Sequence, residues 1–528
     1  MKKLLYFFAV MALMASFVAC EKMDIEQPVE NPNNIKGTGK EIIIENFAKA
    51  LANVLYENKE CRELIKTEAL RRINYDYDVL YMLVKDKKLN DGTTLENLML
   101  TYLDSKDMDF MMESFPTLTI FVPSLPENSF SCDSWNVQTE FPDVAVRPNN
   151  SLLTYCYDAK GNEYVLEPDE IPGFTIVVLK INERIILKKE RDSHSSILRS
   201  TKNPNIEFEF TDPVFDNTMP RPETRRDDYN NNVKIQKALE AYNIFPNNLI
   251  GWQRDYVYYN LTNSNDRGRL DVRFRESIVG FKFLGNPSTL IDNITRFRDD
   301  PKLINKNDWF DMRKISIPGT SRSMLTPWTD GEFEFQVKYS VLSKNTPSSE
   351  TNTSFRLDPT KLFNINVISK TKGILWKKRT VYKITDIQNL FCFIEVPMFD
   401  YDLSKYSITY KISIFEKDDP QTTSQTVQTS TEFASNFSFD PGIGEIIKTG
   451  TKYGSSEKQT KTVTSTTSVT TGSDDLGTVT VNFEDEIIRS NNFKFENIQG
   501  RNSYPIPDFN NAYRTGHYQI YVCPILLN

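Results

Sequence analysis

"GEFEFQVKYSVLS", Gly331 to Ser343, sets Phe333, Phe335, Val337, Tyr339 and Val341 at every second position. A period of two is the side-chain period of a strand, so these five residues share one face of a sheet. Downstream, "LFNINVIS" (362–369), "LFCFIEV" (390–396), "YSITYKISIFE" (406–416), "TVTVNF" (478–483) and "HYQIYVCPILL" (517–527) continue the theme. Short strands separated by turn residues predict an antiparallel β-sandwich over 315–528. Cys392, inside "LFCFIEV", reads as a packing residue of its core.

One stretch of this region is unusual. Between Ser455 and Thr471, eleven of seventeen residues are Ser or Thr, and Val463 and Val469 alone are aliphatic. Mucin-like stalks carry Pro among their Ser and Thr, whereas Asp440 to Ile488 holds only Pro441. Thr is β-branched and suits a strand. Lys458–Thr470 is therefore expected to form one long solvated strand, and "TGSDDLG" (471–477) turns it into "TVTVNF". A second Ser/Thr tract, "QTTSQTVQTST" (421–431), comes first, and "EFASNFSFDPGIGEII" (432–447) lies between the two. This order resembles the aerolysin-like pore formers over some fifty residues. In that family such strands flank an amphipathic hairpin that enters the membrane. Phe433, Phe437 and Phe439 alternate on one face, with Ser435 breaking the row; Ile443, Ile446 and Ile447 on the return limb do not alternate, and Pro441 sits in the turn region.

Upstream the period changes. In "ENFAKALANVLYENKECRELIKTEALRRI" (45–73), Phe47, Leu51 and Leu55 recur every fourth residue, as do Cys61, Ile65 and Ala69. That spacing predicts helices. With "YDVLYMLVKD" and "DGTTLENLMLTYL", where Thr93 and Glu96 suggest a capping box, 41–115 reads as a module of about four short helices. From Thr117, "TLTIFVPSLP", "DVAVRP", "LLTYCYDAKGNEYVL" and "FTIVVLKINERI" read as strands, and Gly161 supplies the positive φ of a hairpin turn. Residues 41–185 resemble uncharacterised surface lipoproteins of Gram-negative bacteria, a likeness that implies no activity. The predicted fold class is α+β and multidomain: helical module 41–115, small β domain 116–185, polar linker 186–232, mixed connecting region 233–314, and the sandwich 315–528.

The first residues give an address. Lys2 and Lys3 precede the apolar run Leu4–Ala15, too short to span a bilayer, and "FVAC" ends at Cys20. Phe17-Val18-Ala19-Cys20 resembles a lipobox. The resemblance implies a leader of residues 1–19, acylation of Cys20 and an outer-membrane anchor facing the cell surface. Residues 20–40, rich in Glu, Pro, Asn and Gly, read as a flexible tether. Without Lys2 and Lys3 the formal net charge of −8 falls by two to −10, which argues against nucleic acid as a partner and against simple attraction to anionic lipid.

The search for chemistry finds little. Two histidines, His194 and His517, leave no His-rich zinc site, and no H-E-x-x-H, G-x-S-x-G or phosphate-binding Gly loop occurs. Ser455 and Lys458 fit S-x-x-K, but on a strand rather than a helix start. A Ca²⁺ ion, the one cofactor considered, has oxygen-rich turns available at Asp400/Asp402 and Glu416/Asp418/Asp419, on either side of one strand. Cys132 and Cys156 fall in one β-rich region and form the candidate disulfide; five cysteines beyond Cys20 leave at least one thiol free. In "GWQRDYVYYNL" (251–261), read as an aromatic strand, Trp252, Tyr256, Tyr258 and Tyr259 are candidate ligand contacts. The leading expectation is a lipid-anchored, non-enzymatic binding or adhesion protein, with a glycan or host macromolecule as ligand. The alternatives are the aerolysin-like pore and a carboxylate-based glycan hydrolase.

Overall fold

The computed structural model describes residues 39–146, 153–167, 169–182, 184–188, 197–199, 207–210, 215–216, 233–294, 328–329, 331–373, 378–416, 421–435, 446–448, 458–471, 474–498 and 502–527. Cys20 with its leader, His194, Asp418 and Asp419 lie outside them. The fold is α+β, with several antiparallel sheets and a helical start. Among the described residues no helix is long and apolar enough to cross a membrane.

The alternation of 331–343 is realised as the strand Phe333–Ser343. Phe333, Phe335, Val337 and Tyr339 are buried; Val341 is half-buried, beside a break in register. This strand pairs antiparallel with Thr351–Leu357 on one side and Tyr406–Glu416 on the other, and Asp474–Asn482 extends the sheet. The facing layer has Phe274–Phe283 at its centre, between Phe391–Phe399 and Tyr518–Leu526. Aromatic rings join the layers: Phe281 lies 5.5 Å from Phe335 and 5.3 Å from Phe355, and Tyr339 lies 5.7 Å from Phe399. Each such ring contributes roughly 1.5–3 kcal/mol by leaving water. Cys392 packs in this core, as expected.

The other face of Phe333–Ser343 is not solvated. Glu334 and Lys338 are buried. Glu334 pairs with Arg356, whose guanidinium stacks 3.0 Å from the Tyr75 ring centre, and Lys338 lies over Phe415. Tyr75 belongs to the N-terminal module, so that module covers the sandwich's outer face. The covalent order hides a second link, since Glu170–Pro172 pairs with Arg379–Asn389. Glu45–Asn528 forms one compact unit.

In the N-terminal module, helices cover Gly39–Glu57, Lys59–Leu70, Tyr81–Val84, Leu95–Met99 and Ser105–Ser114. Phe47, Leu51, Leu55, Cys61, Ile65 and Ala69 are buried, as their spacing predicts. Two details differ. Asp78–Leu80 is a strand that joins the sheet of Leu118–Phe121, Ile176–Ile181, Asp143–Val146, Thr154–Tyr157 and Glu163–Leu166. The helix cap is Thr94, not Thr93: its Oγ1 accepts from Asn97 N–H at 3.2 Å, while Glu96 pairs with Lys85 at 2.7 Å. The turn at Asp158–Asn162 forms as expected, with Gly161 at φ 73° and its N–H on the Asp158 carbonyl at 3.0 Å. The "linker" 186–232 contains strands Ile197–Arg199 and Glu207–Phe210, and the latter pairs with both Ile185–Leu187 and the former. Phe208, Phe210 and Phe215 are buried there.

The aromatic stretch 252–259 is a helix, Gln253–Tyr259, rather than a strand. Asn260 ends it in the left-handed conformation, φ 54°. A seven-residue helix has little stability of its own; here tertiary contacts supply it. Arg254 and Glu276 are fully buried and bonded through Nη2–Oε1 at 2.6 Å and Nε–Oε1 at 3.1 Å. Tyr258 donates to Glu276 at 2.9 Å, and Arg254 Nη1 donates to the Asp485 carbonyl at 2.7 Å. Gln253 accepts from Ile487 and Ile488 N–H through Oε1. Removing one charge leaves the other buried and unpaired, so Glu276→Gln is expected to cost about 3 kcal/mol in urea unfolding. Arg254→Met with Glu276→Leu should cost clearly less; equal losses would show that packing, not charge, sets the effect.

Candidate functional site

The two Ser/Thr tracts form strands Gln421–Ala434 and Lys458–Thr471, paired without interruption from Gln421↔Thr471 to Ala434↔Lys458. Each is about 45 Å long at the strand rise. Their exposure is lopsided. Thr426, Gln428, Ser430 and Glu432 are exposed on one face; Val427, Thr429 and Thr431 are half-buried on the other, opposite Ser465, Val463 and Lys461. Phe433 and Ala434 at the far end are fully buried.

The register holds a second fact. The ladder Thr409↔Asn482 to Glu416↔Asp474 runs in the same order and sense as Gln421↔Thr471 to Ala434↔Lys458. Residues 417–420 on one limb and 472–473 on the other separate the two. The described strands of one two-stranded ribbon thus run in order from 409/482 to 434/458, and the second half returns along the first. Ser407↔Phe433 pairs its far end with its start. Unbent, 409–434 would reach roughly 85 Å.

The doubled-back end is fastened to the body. Lys344 Nζ donates to the Ala434 carbonyl at 2.6 Å, and Lys458 pairs with Glu484 at 2.5 Å. Ser348 and Ser349 pair in parallel with Ser465 and Thr466. Beyond Ala434, the connecting segment 435–457 is tied at Ile446–Lys448, which pairs antiparallel with Arg267–Arg269. Gly268 lets Arg267–Arg269 lie against the end of the helix Gln253–Tyr259: a Cβ there would sit 1.8 Å from the Tyr259 carbonyl oxygen.

A cleft of about 610 Å³ opens where the N-terminal module meets the sandwich. Asp76, Glu127, Glu332 and Asp358 line it together with Arg72 and Lys361. Asp76 is held on both oxygens: Oδ1 accepts from Glu332 N–H at 2.8 Å, and Oδ2 meets Arg184 Nη1 at 2.8 Å. Asp358 caps its own turn, accepting from Thr360 N–H at 2.8 Å. Glu332 faces Arg72 at 3.3 Å; burial, with Asp76 adding to it, pushes its carboxyl up to about 7. Asp76 and Glu332 stand 256 residues apart in the chain, so no local motif announces this cleft.

The residues singled out by sequence fare unevenly. Trp252, Tyr258 and Tyr259 are buried around Phe483, with ring centres 6.0–6.4 Å from it, and present no ligand face. Tyr256 is half-buried and donates to Glu240. Cys132 and Cys156 are free, not bridged: one Sγ points at the Lys66 carbonyl, the other at that of Thr154, each at 3.8 Å. Burial pushes the Cys61, Cys132 and Cys392 thiols up to about 12, which leaves them inert. Asp402 is engaged by Ser404 and by Lys405 at 2.9 Å, and Glu416 is buried at the opposite end of Tyr406–Glu416 from Asp400 and Asp402. No group of three or more metal-binding side chains is gathered among the described residues. Comparison of the chain with protein-family models, curated proteins and solved structures finds no match.

Proposed function

We propose that this chain is a lipid-anchored, surface-exposed protein whose doubled-back ribbon straightens to carry the segment 435–457 into a membrane, as a pore-forming protein. The single observation that carries the reading is the shared order of the two ladders across 417–420/472–473. A ribbon already paired along its length can swing outward without re-pairing its strands, by releasing its contacts with Ser407, Lys344, Glu484, Ser348–Ser349 and Arg267–Arg269. The connecting segment has twenty-three residues, enough for two limbs of about ten residues and a turn, the length a membrane-crossing strand needs. Exposed Thr, Gln and Ser on one ribbon face suit a water-filled lumen. Adhesion through the aromatic stretch loses its support, because those rings are core.

Glycan hydrolysis gains no support from the cleft, where Asp76 and Asp358 are committed to bonds within the protein. The proposal is tested by adding the purified chain to dye-loaded liposomes and running the membranes on detergent-containing gels without boiling. Leakage together with a resistant oligomer is expected. A strictly monomeric chain that releases no dye would sink it.

A further inference from the structure

We propose that the turn 344–350 guards the outer edge of Lys458–Thr471, and that the partner it keeps off is a second copy of this chain; the inference rests on the ribbon reading above for its purpose. The hairpin of Phe333–Ser343 and Thr351–Leu357 pairs as far as Tyr339↔Thr351, and its turn then leans onto the ribbon. That turn touches both limbs. Lys344 Nζ donates to the Ala434 carbonyl at 2.6 Å, while Ser348 and Ser349 pair in parallel with Ser465 and Thr466. The Glu350 N–H donates to the Thr466 carbonyl at 3.1 Å, and the Ser343 N–H closes the turn by donating to Ser348 Oγ at 2.5 Å. Ser348 and Ser465 are buried at this contact; Thr462, Thr464 and Thr466 beside it are exposed. Among the described residues no other strand pairs with this edge.

A long strand with an open edge is a template for another strand, and native proteins cover such edges. Backbone groups point to alternate sides along a strand. Since the Thr466 carbonyl meets the guard, the N–H and C=O groups of Thr464, Thr462 and Thr460 point outward with it. The inner edge shows which strand fits. Gln421–Ala434 pairs there over fourteen positions without a break in register, and Glu432 faces Lys458 at 3.5 Å. A second copy brings the same Gln421–Ala434, whose own outer edge meets the body at Ser407↔Phe433 alone among the described residues. Once the guard lifts, copies can join head to tail through these two edges, a contact that closes into a ring or runs on. The guard is light enough to lift: its pairing is two residues long and parallel, the weaker kind per residue.

The test is sedimentation velocity of the chain without its leader and Cys20, in solution and with no membrane present. The parent is expected to stay monomeric. Glu350→Pro, which removes the N–H given to Thr466, should self-associate at a concentration at least about tenfold lower than the parent, the equivalent of roughly 1.4 kcal/mol. Ser348→Ala, a milder opening that removes the oxygen accepting from Ser343, should lower that concentration severalfold; it carries the test if the proline variant does not fold. Adding Thr462→Pro to either should restore the monomer. Proline is tolerated where its missing N–H faces away from the ladder, and it denies a second copy that bond. Near-UV circular dichroism checks that each variant folds. The proposal falls if the folded opening variants associate no more readily than the parent, or if Thr462→Pro leaves their association unchanged. A chain that releases no dye from liposomes, yet associates when the guard is opened, upholds the guard and overturns the membrane reading alone.

Discussion

A chain carrying Arg267→Cys and Lys448→Cys is expected to release no dye from liposomes when oxidised and to recover release on reduction. The two positions are Cα partners in the short antiparallel pair that holds the connecting segment. Opposed residues of such a pair stand about 4.5–5.5 Å apart at Cα, within the span a disulfide accepts. The five native cysteines described are buried, so the engineered pair is the one that responds to the reagent; the chain is assayed without its leader and Cys20. Pinning 446–448 to 267–269 leaves the ladder 421–434/458–471 intact and blocks only its departure from the body. The expected drop in leakage rate is at least about tenfold, the effect of roughly 1.4 kcal/mol on a rate; a true lock gives far more. Equal leakage by the oxidised and reduced forms would show that the segment need not leave Arg267–Arg269. Departure of the ladder 421–434/458–471 from the body would then have no part in membrane entry.

How much of this was legible in the sequence depends on where each side chain's partner lies. Phe333, Phe335, Val337 and Tyr339 were readable because one sheet face meets one core, and a period of two reports it directly. Glu334 and Lys338, polar and on the opposite face of the same strand, are buried as well. Their cover includes Arg356 and Tyr75, and no local pattern marks an approach from so far along the chain. Trp252–Tyr259 failed for a related reason. Aromatic and β-branched density suggests a strand, but the helix is dictated by Arg254 reaching Glu276 and Gln253 reaching Ile487 and Ile488. The long Ser/Thr strands were expected from composition. A turn at 471–477 was expected too, but the pairing of the two tracts with each other was not, because register is visible only once Glu416↔Asp474 and Gln421↔Thr471 are both known. The cleft was invisible for the plainest reason: its carboxylates come from distant parts of the chain.

Asp255 carries the largest expected effect on stability, and its sign follows from its surroundings. The residue sits in the first turn of Gln253–Tyr259, 2% exposed, and its Oδ1 has no hydrogen-bond partner. Burial pushes its carboxyl up to about 8, against ~3.9 in an unfolded chain. The folded state therefore holds a proton that the unfolded state releases. Stability from this group is fully present below about pH 4 and is lost as pH rises through 8, at up to ~1.4 kcal/mol per unit. Between pH 5 and 8 the parent chain should lose on the order of 4 kcal/mol through Asp255. Asp255→Asn has a similar shape and no charge to gain, so its stability should lack this fall. The quantity to measure is the difference between parent and variant in urea unfolding across that window. Taking the difference cancels Glu332, whose raised carboxyl acts with the same sign up to about pH 7. The variant should gain on the parent steadily with pH and stop gaining above about pH 8. Parallel curves would mean that Asp255 ionises freely in the folded protein, through water or a rearranged helix start. The helix Gln253–Tyr259 would then be looser than its contacts with Glu276, Phe483 and Ile488 imply.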